Sequence, residues 1–337
     1  MVLEVLKSNE EHSDNNIKDI DLSIELCGVK LRNPVILASG ILGANGEILK
    51  RVAKSGVGAV TTKSIGPKDR VGYASPCVYV VSEEVILNAM GLPNPGYKYF
   101  IEHELDIARE GGEPVIVSIF GKTVDEFVEV AKAMEDTKVK LIEINVSCPH
   151  PSERRLIGQD QKKFGEVISH VRDEIKKSKI IVKLSPNVTN IQEYARIAIE
   201  CKADAISAIN TIQALEVDAE LEVPILGNLV GGQSGPSIRC IAQRKIADIL
   251  LFMKKYPEMK RPVIGIGGIA SGLDIAKFIL LGATCVQVGS GIRQEKIEIF
   301  FKRLINELKE FMQQKNYKKL SDFRGRTLNI LFKYLEH

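Results

Sequence analysis

Four stretches of the chain end in residues that could do chemistry. They are Thr61-Thr62-Lys63-Ser64, Asn145-Val146-Ser147-Cys148, Lys183 and Asn210-Thr211, and each closes a run rich in small or branched apolar residues. A lysine supplies a cation for an anionic ligand or for negative charge that builds up in a reaction. Desolvated, its amine is also a Schiff-base nucleophile, so an aldolase-like reaction at Lys183 or Lys63 is one option. Asparagine donates and accepts hydrogen bonds, which suits an imide-like ring. A free thiol titrates near about 8.5, so a cysteine base at neutral pH needs help from its surroundings or acts as a minority thiolate. Each residue type has a plainer use: turn chemistry for Asn145 and Asn210, a surface cation for the lysines, a small buried hydrophobe for Cys148. Lysine is almost never buried without a partner, however, and two lysines at the ends of apolar runs exceed what packing needs. Cys27, Cys77, Cys201, Cys240 and Cys285 are expected to be buried and inert.

Glycines form a second group. Gly265-Ile266-Gly267-Gly268-Ile269 precedes Ser271, which opens a helical pattern, and Gly289-Ser290-Gly291 follows the last apolar run. Glycines let backbone N–H groups approach a ligand closely, and a helix N-terminus adds a favourable dipole. Paired in this way, the two clusters predict a phosphate site.

The elements that must position these residues alternate. Strand candidates lie at 34–38, 58–63, 114–120, 141–147, 180–184, 205–210, 262–267 and 285–289. Most are continuous apolar runs, as expected of parallel strands buried on both faces. Helical patterns cover 123–135, 160–177, 190–201, 236–255, 271–281 and 295–313, the first opening on a Thr N-cap with Glu at the third helical position. Eight such units predict a (β/α)8 barrel rather than an open doubly wound sheet. Residues 24–33 read as a hairpin closing the bottom of the barrel. Segments 64–99 and 211–235 follow strands two and six, at the end where barrel enzymes build active sites. Residues 1–20 read as a polar lead-in and 21–337 as one barrel domain.

Bulk properties narrow the function. The 337 residues carry a formal net charge of +3, too small to suggest nucleic acid or an anionic membrane surface as partner. The six cysteines include no CxxC pair, so neither a zinc site nor an iron–sulfur cluster is expected within the chain, and no metal is assigned. Sparse cysteine points to a reducing, cytoplasmic compartment. No apolar run reaches the roughly eighteen residues of a membrane span.

From about residue 22 onward the chain resembles the class 1 dihydroorotate dehydrogenases. The resemblance rests on NPVILASG (33–40), TTKSI (61–65), NAMGLPNPG (88–96), NVSCPH (145–150), IVKLSPN (181–187), AINT (208–211), GGQSGPSI (231–238), GIGGI (265–269) and VQVGS (286–290), in that order and spacing. It implies bound FMN and oxidation of dihydroorotate to orotate in pyrimidine (UMP) biosynthesis. Ala38, Ser39, Gly40, Lys63, Ser64, Asn145, Lys183 and Ile209 are the implied flavin contacts. Gly235, Gly267, Gly268, Gly289 and Ser290 are those to its ribityl phosphate. Substrate contacts fall on Lys63, Asn88, Met90, Gly91, Leu92, Asn145, Asn210 and Thr211.

The resemblance also assigns the chemistry. Dihydroorotate gives up a C5 proton to a base, here Cys148, and a C6 hydride to flavin N5. Lys63 and backbone N–H groups near Met90–Leu92 suit the substrate carboxylate. Lys183 suits the negative charge of the reduced flavin. Residues 149–159 read as a loop that could close over substrate. One departure stands at His150, where many class 1 enzymes have Asn. Ser-Cys-Pro-His with Gly158-Gln159-Asp160 also resembles the pyrimidine-reducing domain of dihydropyrimidine dehydrogenase, whose substrates lack the carboxylate. A flavin-binding subunit without chemistry of its own is a further alternative. The NAMGLPNPG region is similar to class 1B, which implies a homodimer core and an FAD and iron–sulfur subunit in a heterotetramer that passes electrons to NAD, rather than the fumarate-linked class 1A homodimer.

Overall fold

The computed structural model describes residues 20–147 and 157–335. Eight parallel strands close into a barrel: β1 (Val35–Leu37), β2 (Ala59–Thr61), β3 (Val115–Ile119), β4 (Leu141–Asn145), β5 (Lys179–Leu184), β6 (Ala205–Ala208), β7 (Val263–Ile266) and β8 (Cys285–Val288). Each pairs with its neighbours in sequence, and β8 pairs back onto β1. The strands lie where the sequence predicts them, with trimmed ends. Nearly every residue in them is buried, because one face meets the barrel interior and the other meets helices.

The helices that follow are α1 (Gly46–Lys54), α2 (Leu105–Arg109), α3 (Val124–Asp136), α4 (Gln161–Glu174), α5 (Ile191–Glu200), α6 (Arg239–Lys255), α7 (Gly272–Leu281) and α8 (Ile297–Gln314). α3 shows why they form: Phe127, Val130, Ala131 and Met134 make one buried stripe, and the Thr123 side chain accepts the Glu126 N–H. α1 and α2 were not among the expected helices. α2 spans too few residues for its periodicity to stand out. α1 buries only Gly46, Leu49, Val52 and Ala53, and the Asn45 cap that marks its start looks like loop sequence.

The hairpin is present. Ile24–Leu26 pairs antiparallel with Val29–Leu31 across Cys27 and Gly28, both at positive φ as a two-residue turn requires. The Cys27 thiol donates to the carbonyl of Asp204, which precedes β6, so the hairpin caps the end of the barrel opposite the strand C-termini. Expectation and structure part at Cys240, which is exposed on the first turn of α6, a position facing away from the barrel. Cys285 is buried, and Cys27, Cys77 and Cys201 are half-buried.

The two long insertions come together. Ile86–Asn88 pairs with Val78–Val80 on one side and Gly231–Ser234 on the other, and the latter pairs with Ile212–Ala214. This four-stranded antiparallel sheet unites the segments after β2 and β6 above the strand C-termini. Among the described residues, no helix is long and apolar enough to cross a membrane.

Candidate active site

A cavity of about 980 Å³ opens at the C-terminal ends of the barrel strands, between the barrel and the insertion sheet. Ala38, Ser39 and Gly40 line it beyond β1, and Lys63 and Ser64 beyond β2. Asn145 reaches it from β4, Lys183 from β5, and Ile209, Asn210 and Thr211 from the end of β6. Asn88, Met90, Gly91 and Leu92 line the side formed by the insertion. Gly267, Gly268, Gly289 and Ser290 line it beyond β7 and β8. Gly235 does not. It turns the chain into α6 at φ +103°, and a Cβ there would strike the carbonyl of Glu84, so its glycine serves packing of the hairpin tip. Cys148, His150 and residues 149–156 of the 149–159 loop lie outside the described residues.

Hydrogen bonds fix the polar wall. Ser64 Oγ is buried at the centre, 2.9 Å from Asn145 Nδ2, 3.0 Å from Ser118 Oγ and 3.3 Å from Ser39 Oγ. The Asn145 Oδ1 accepts the Ser147 N–H at 3.1 Å and the Asn210 Nδ2 at 3.3 Å. One amide thus ties β2, β4 and the end of β6 together. Asn187 adds a second brace, donating to the Thr211 carbonyl and accepting the Gln213 N–H. The lysines differ. Lys183 is 5% exposed, with Glu143 as its only ionic partner among the described residues, at 4.0 Å. Lys63 is half-buried, and desolvation holds its ammonium below the ordinary lysine range.

At the other end, Gly267 and Gly268 have φ of +130° and +68°, and a Cβ on Gly268 would come within 2.8 Å of the Arg239 backbone nitrogen. The N–H groups of Gly268, Ile269 and Gly289 donate to no acceptor among the described residues. They form a cradle of free donors with no side chain in the way, which fits a phosphate. The N-terminus of α7 contributes less than expected. Asp274 takes the Ala270 and Ser271 N–H groups and Glu307 takes that of Gly272.

The cavity therefore offers an anion cradle at one end, an amide-rich wall, and two desolvated cations. Residues 21–312 match the family model described as dihydroorotate dehydrogenase. The chain belongs to the dihydroorotate dehydrogenase family. It is 39% identical over 310 residues to "Dihydroorotate dehydrogenase B (NAD(+)), catalytic subunit" of Pyrococcus horikoshii, covering 92% of this chain and 98% of that relative. The protein of the same name from Methanocaldococcus jannaschii is 40% identical, with coverage of 88% and 94%. That of Methanocella arvoryzae is 42% identical, with coverage of 80% and 86%. In fold the chain is similar to the crystal structure of DHODH from Eimeria tenella in complex with ferulenol, with a TM-score of 0.77, 23% identity and coverage of 91% and 88%.

Sequence reasoning missed several lining or supporting residues. Gln287 on β8 and Glu143 on β4 are fully buried polar groups inside the barrel. Their signal was visible as Glu143 between two isoleucines in LIEIN and Gln287 between two valines in CVQV. Gly43 was not singled out either, yet a Cβ there would run into the backbone of Thr61–Lys63, where the Lys63 N–H donates to the Gly43 carbonyl.

Proposed function

We propose that this chain oxidises dihydroorotate to orotate with FMN bound in the cavity, as the catalytic subunit of a class 1B enzyme. The observation that carries the reading is the joining of two desolvated lysines and an asparagine-rich wall to a glycine cradle with free N–H donors, in one cavity of a chain from this family. Bound FMN supplies the acceptor for the C6 hydride.

The remaining chemistry belongs to the chain. Lys63 receives the substrate carboxylate, because a partly desolvated ammonium gains from an anionic partner. Asn145 and Asn210 hold the amide edge of the ring, Asn145 held by Ser64 and Asn210 by Asn145. Asn88 and Thr211 and the backbone of Met90–Leu92 bound the same space. Cys148 takes the C5 proton. Supporting this, Ser147 lines the cavity and its N–H is fastened to Asn145, so the chain enters Cys148 from a fixed point. By contrast, burial pushes the Cys27 thiol up to about 11 and the Cys285 thiol higher still, which unfits both as bases. The carboxylate contact favours dihydroorotate over a dihydropyrimidine without one.

A second subunit carrying FAD and an iron–sulfur cluster would take the electrons from this site and pass them to NAD. The relatives' title of catalytic subunit supports a partner. A second copy of the chain packs on the insertions, where Val78 and Val80 of the four-stranded sheet and Val217 and Val223 of a separate two-stranded hairpin expose apolar surface. The enzyme works in the cytoplasm as one barrel domain over 21–337. The test is purification with FMN, then turnover with an artificial acceptor. Cys148→Ala should keep FMN and lose most dihydroorotate turnover; near-normal turnover at neutral pH would sink the assignment of the base.

A further inference from the structure

The reaction above leaves the buried charge of Glu143 without a role. Glu143 lies on β4, two residues before Asn145 and so on the same face of the strand. It is fully buried inside the barrel. Its Oε2 accepts from Gln287 Nε2 at 2.8 Å and from Ser207 Oγ at 3.1 Å. Gln287 Nε2 also lies 3.4 Å from Thr61 Oγ1. Bonds from β8 and β6 therefore clamp the carboxylate across the barrel. The Gln287 amide can face it only with its nitrogen, since the reverse would set oxygen against oxygen.

The other oxygen is different. Glu143 Oε1 has no hydrogen-bond partner among the described residues and lies 4.0 Å from Lys183 Nζ. The Lys183 ammonium donates no hydrogen bond to any described residue, and the side chain lines the cavity. At that separation the carboxylate attracts the ammonium without consuming its N–H donors. Buried ion pairs are often no more stabilising than apolar side chains of similar volume, so a purely structural demand would be met as well by leucine.

We propose that Glu143 is a positioning residue that holds the Lys183 ammonium at the cavity and offsets its charge there. The proposal rests on the FMN reading. With both charges present the pair is close to neutral, which suits an uncharged oxidised ring. When the ring gains negative charge on reduction, Lys183 stabilises it and Glu143 opposes it. Glu143 thus keeps the flavin's reduction potential below the value Lys183 alone would set, and keeps reduced flavin a ready donor to the next carrier.

The test is the two-electron midpoint potential of bound FMN, read by dye equilibration in the wild-type protein, Glu143→Gln and Lys183→Gln. Glutamine keeps bonds to Gln287 and Ser207 but removes the charge. The expected result is a tenfold shift toward reduced flavin in E143Q, about +30 mV, and a shift the other way in K183Q. Should E143Q fail to fold, Glu143→Asp draws the charge back from Lys183 and should shift the equilibrium about threefold in the same direction. An unchanged or lower potential in a folded Glu143 variant overturns the inference, as does failure of both variants to fold, which would make the carboxylate a structural need. Wild-type protein without FMN would instead defeat the cofactor reading.

Discussion

Replacing Ser64 with alanine tests how the cavity wall is held. The hydroxyl has three neighbours, and the amide of Asn145 must be a donor to it, since Asn145 Oδ1 already accepts from Ser147 and Asn210. Ser64 then donates to one of Ser39 and Ser118 and accepts from the other. In Ser64→Ala the Asn145 Nδ2 loses its acceptor. Rotating the amide is no escape, because it would turn an N–H toward two other donors. A buried donor left unpaired costs about 1–3 kcal/mol, and water entering from the cavity side brings this to the lower part of that range. The amide that should meet substrate is then bound to water or turned. Orotate affinity should fall about tenfold, equivalent to about 1.4 kcal/mol. Perturbation of the flavin spectrum on titration with orotate measures this directly, and thermal unfolding measures the stability loss. Orotate binding within twofold of wild type, with normal turnover, would refute the role given to Ser64.

Other outcomes follow from the same geometry. Gly268→Ala forces a side chain into left-handed backbone, at about 1–2 kcal/mol, and against the Arg239 backbone; FMN affinity measured by fluorescence recovery should drop at least about tenfold. Burial depresses Lys63, so a bound carboxylate should raise it again. Orotate binding should therefore take up protons in alkaline solution, between the lowered value of free Lys63 and the ordinary lysine range, and weaken as pH rises through that window; calorimetry in buffers of different ionisation enthalpy reads the uptake, which Lys63→Met should abolish. The same depression means Lys63 opposes folding while protonated, a cost relieved as pH climbs from its lowered value toward the ordinary lysine range. Thr123→Ala removes the α3 cap and should cost about 1 kcal/mol of stability in chemical denaturation, with activity unchanged.

Much of the architecture was legible because the barrel has simple rules. Parallel strands buried on both faces read as unbroken apolar runs, and all eight were found where the structure has them. The polar strand ends Lys63, Asn145, Lys183 and Asn210 stood out against those runs, and the barrel brings them to one cavity. Beyond the helices and supporting residues already named, three things were not legible. That segments 64–99 and 211–235 share one sheet depends on pairing between distant strands, which short turn-rich sequences do not specify. The use of Gly235 in packing rather than lining depends on the position of Glu84, far away in sequence. The availability of the α7 N-terminus was misjudged because Glu307, on the next helix, takes one of its N–H groups.

Anaerobic mixing of the purified protein with dihydroorotate, and separately with dihydrouracil, reaches the central claim most directly. The oxidised-flavin absorbance is followed with no acceptor present. Bleaching by dihydroorotate and not by dihydrouracil is the expected result, since Lys63 has a carboxylate to bind only in the first. Bleaching by dihydrouracil alone would contradict the substrate assignment, and a protein with no flavin absorbance would contradict the cofactor.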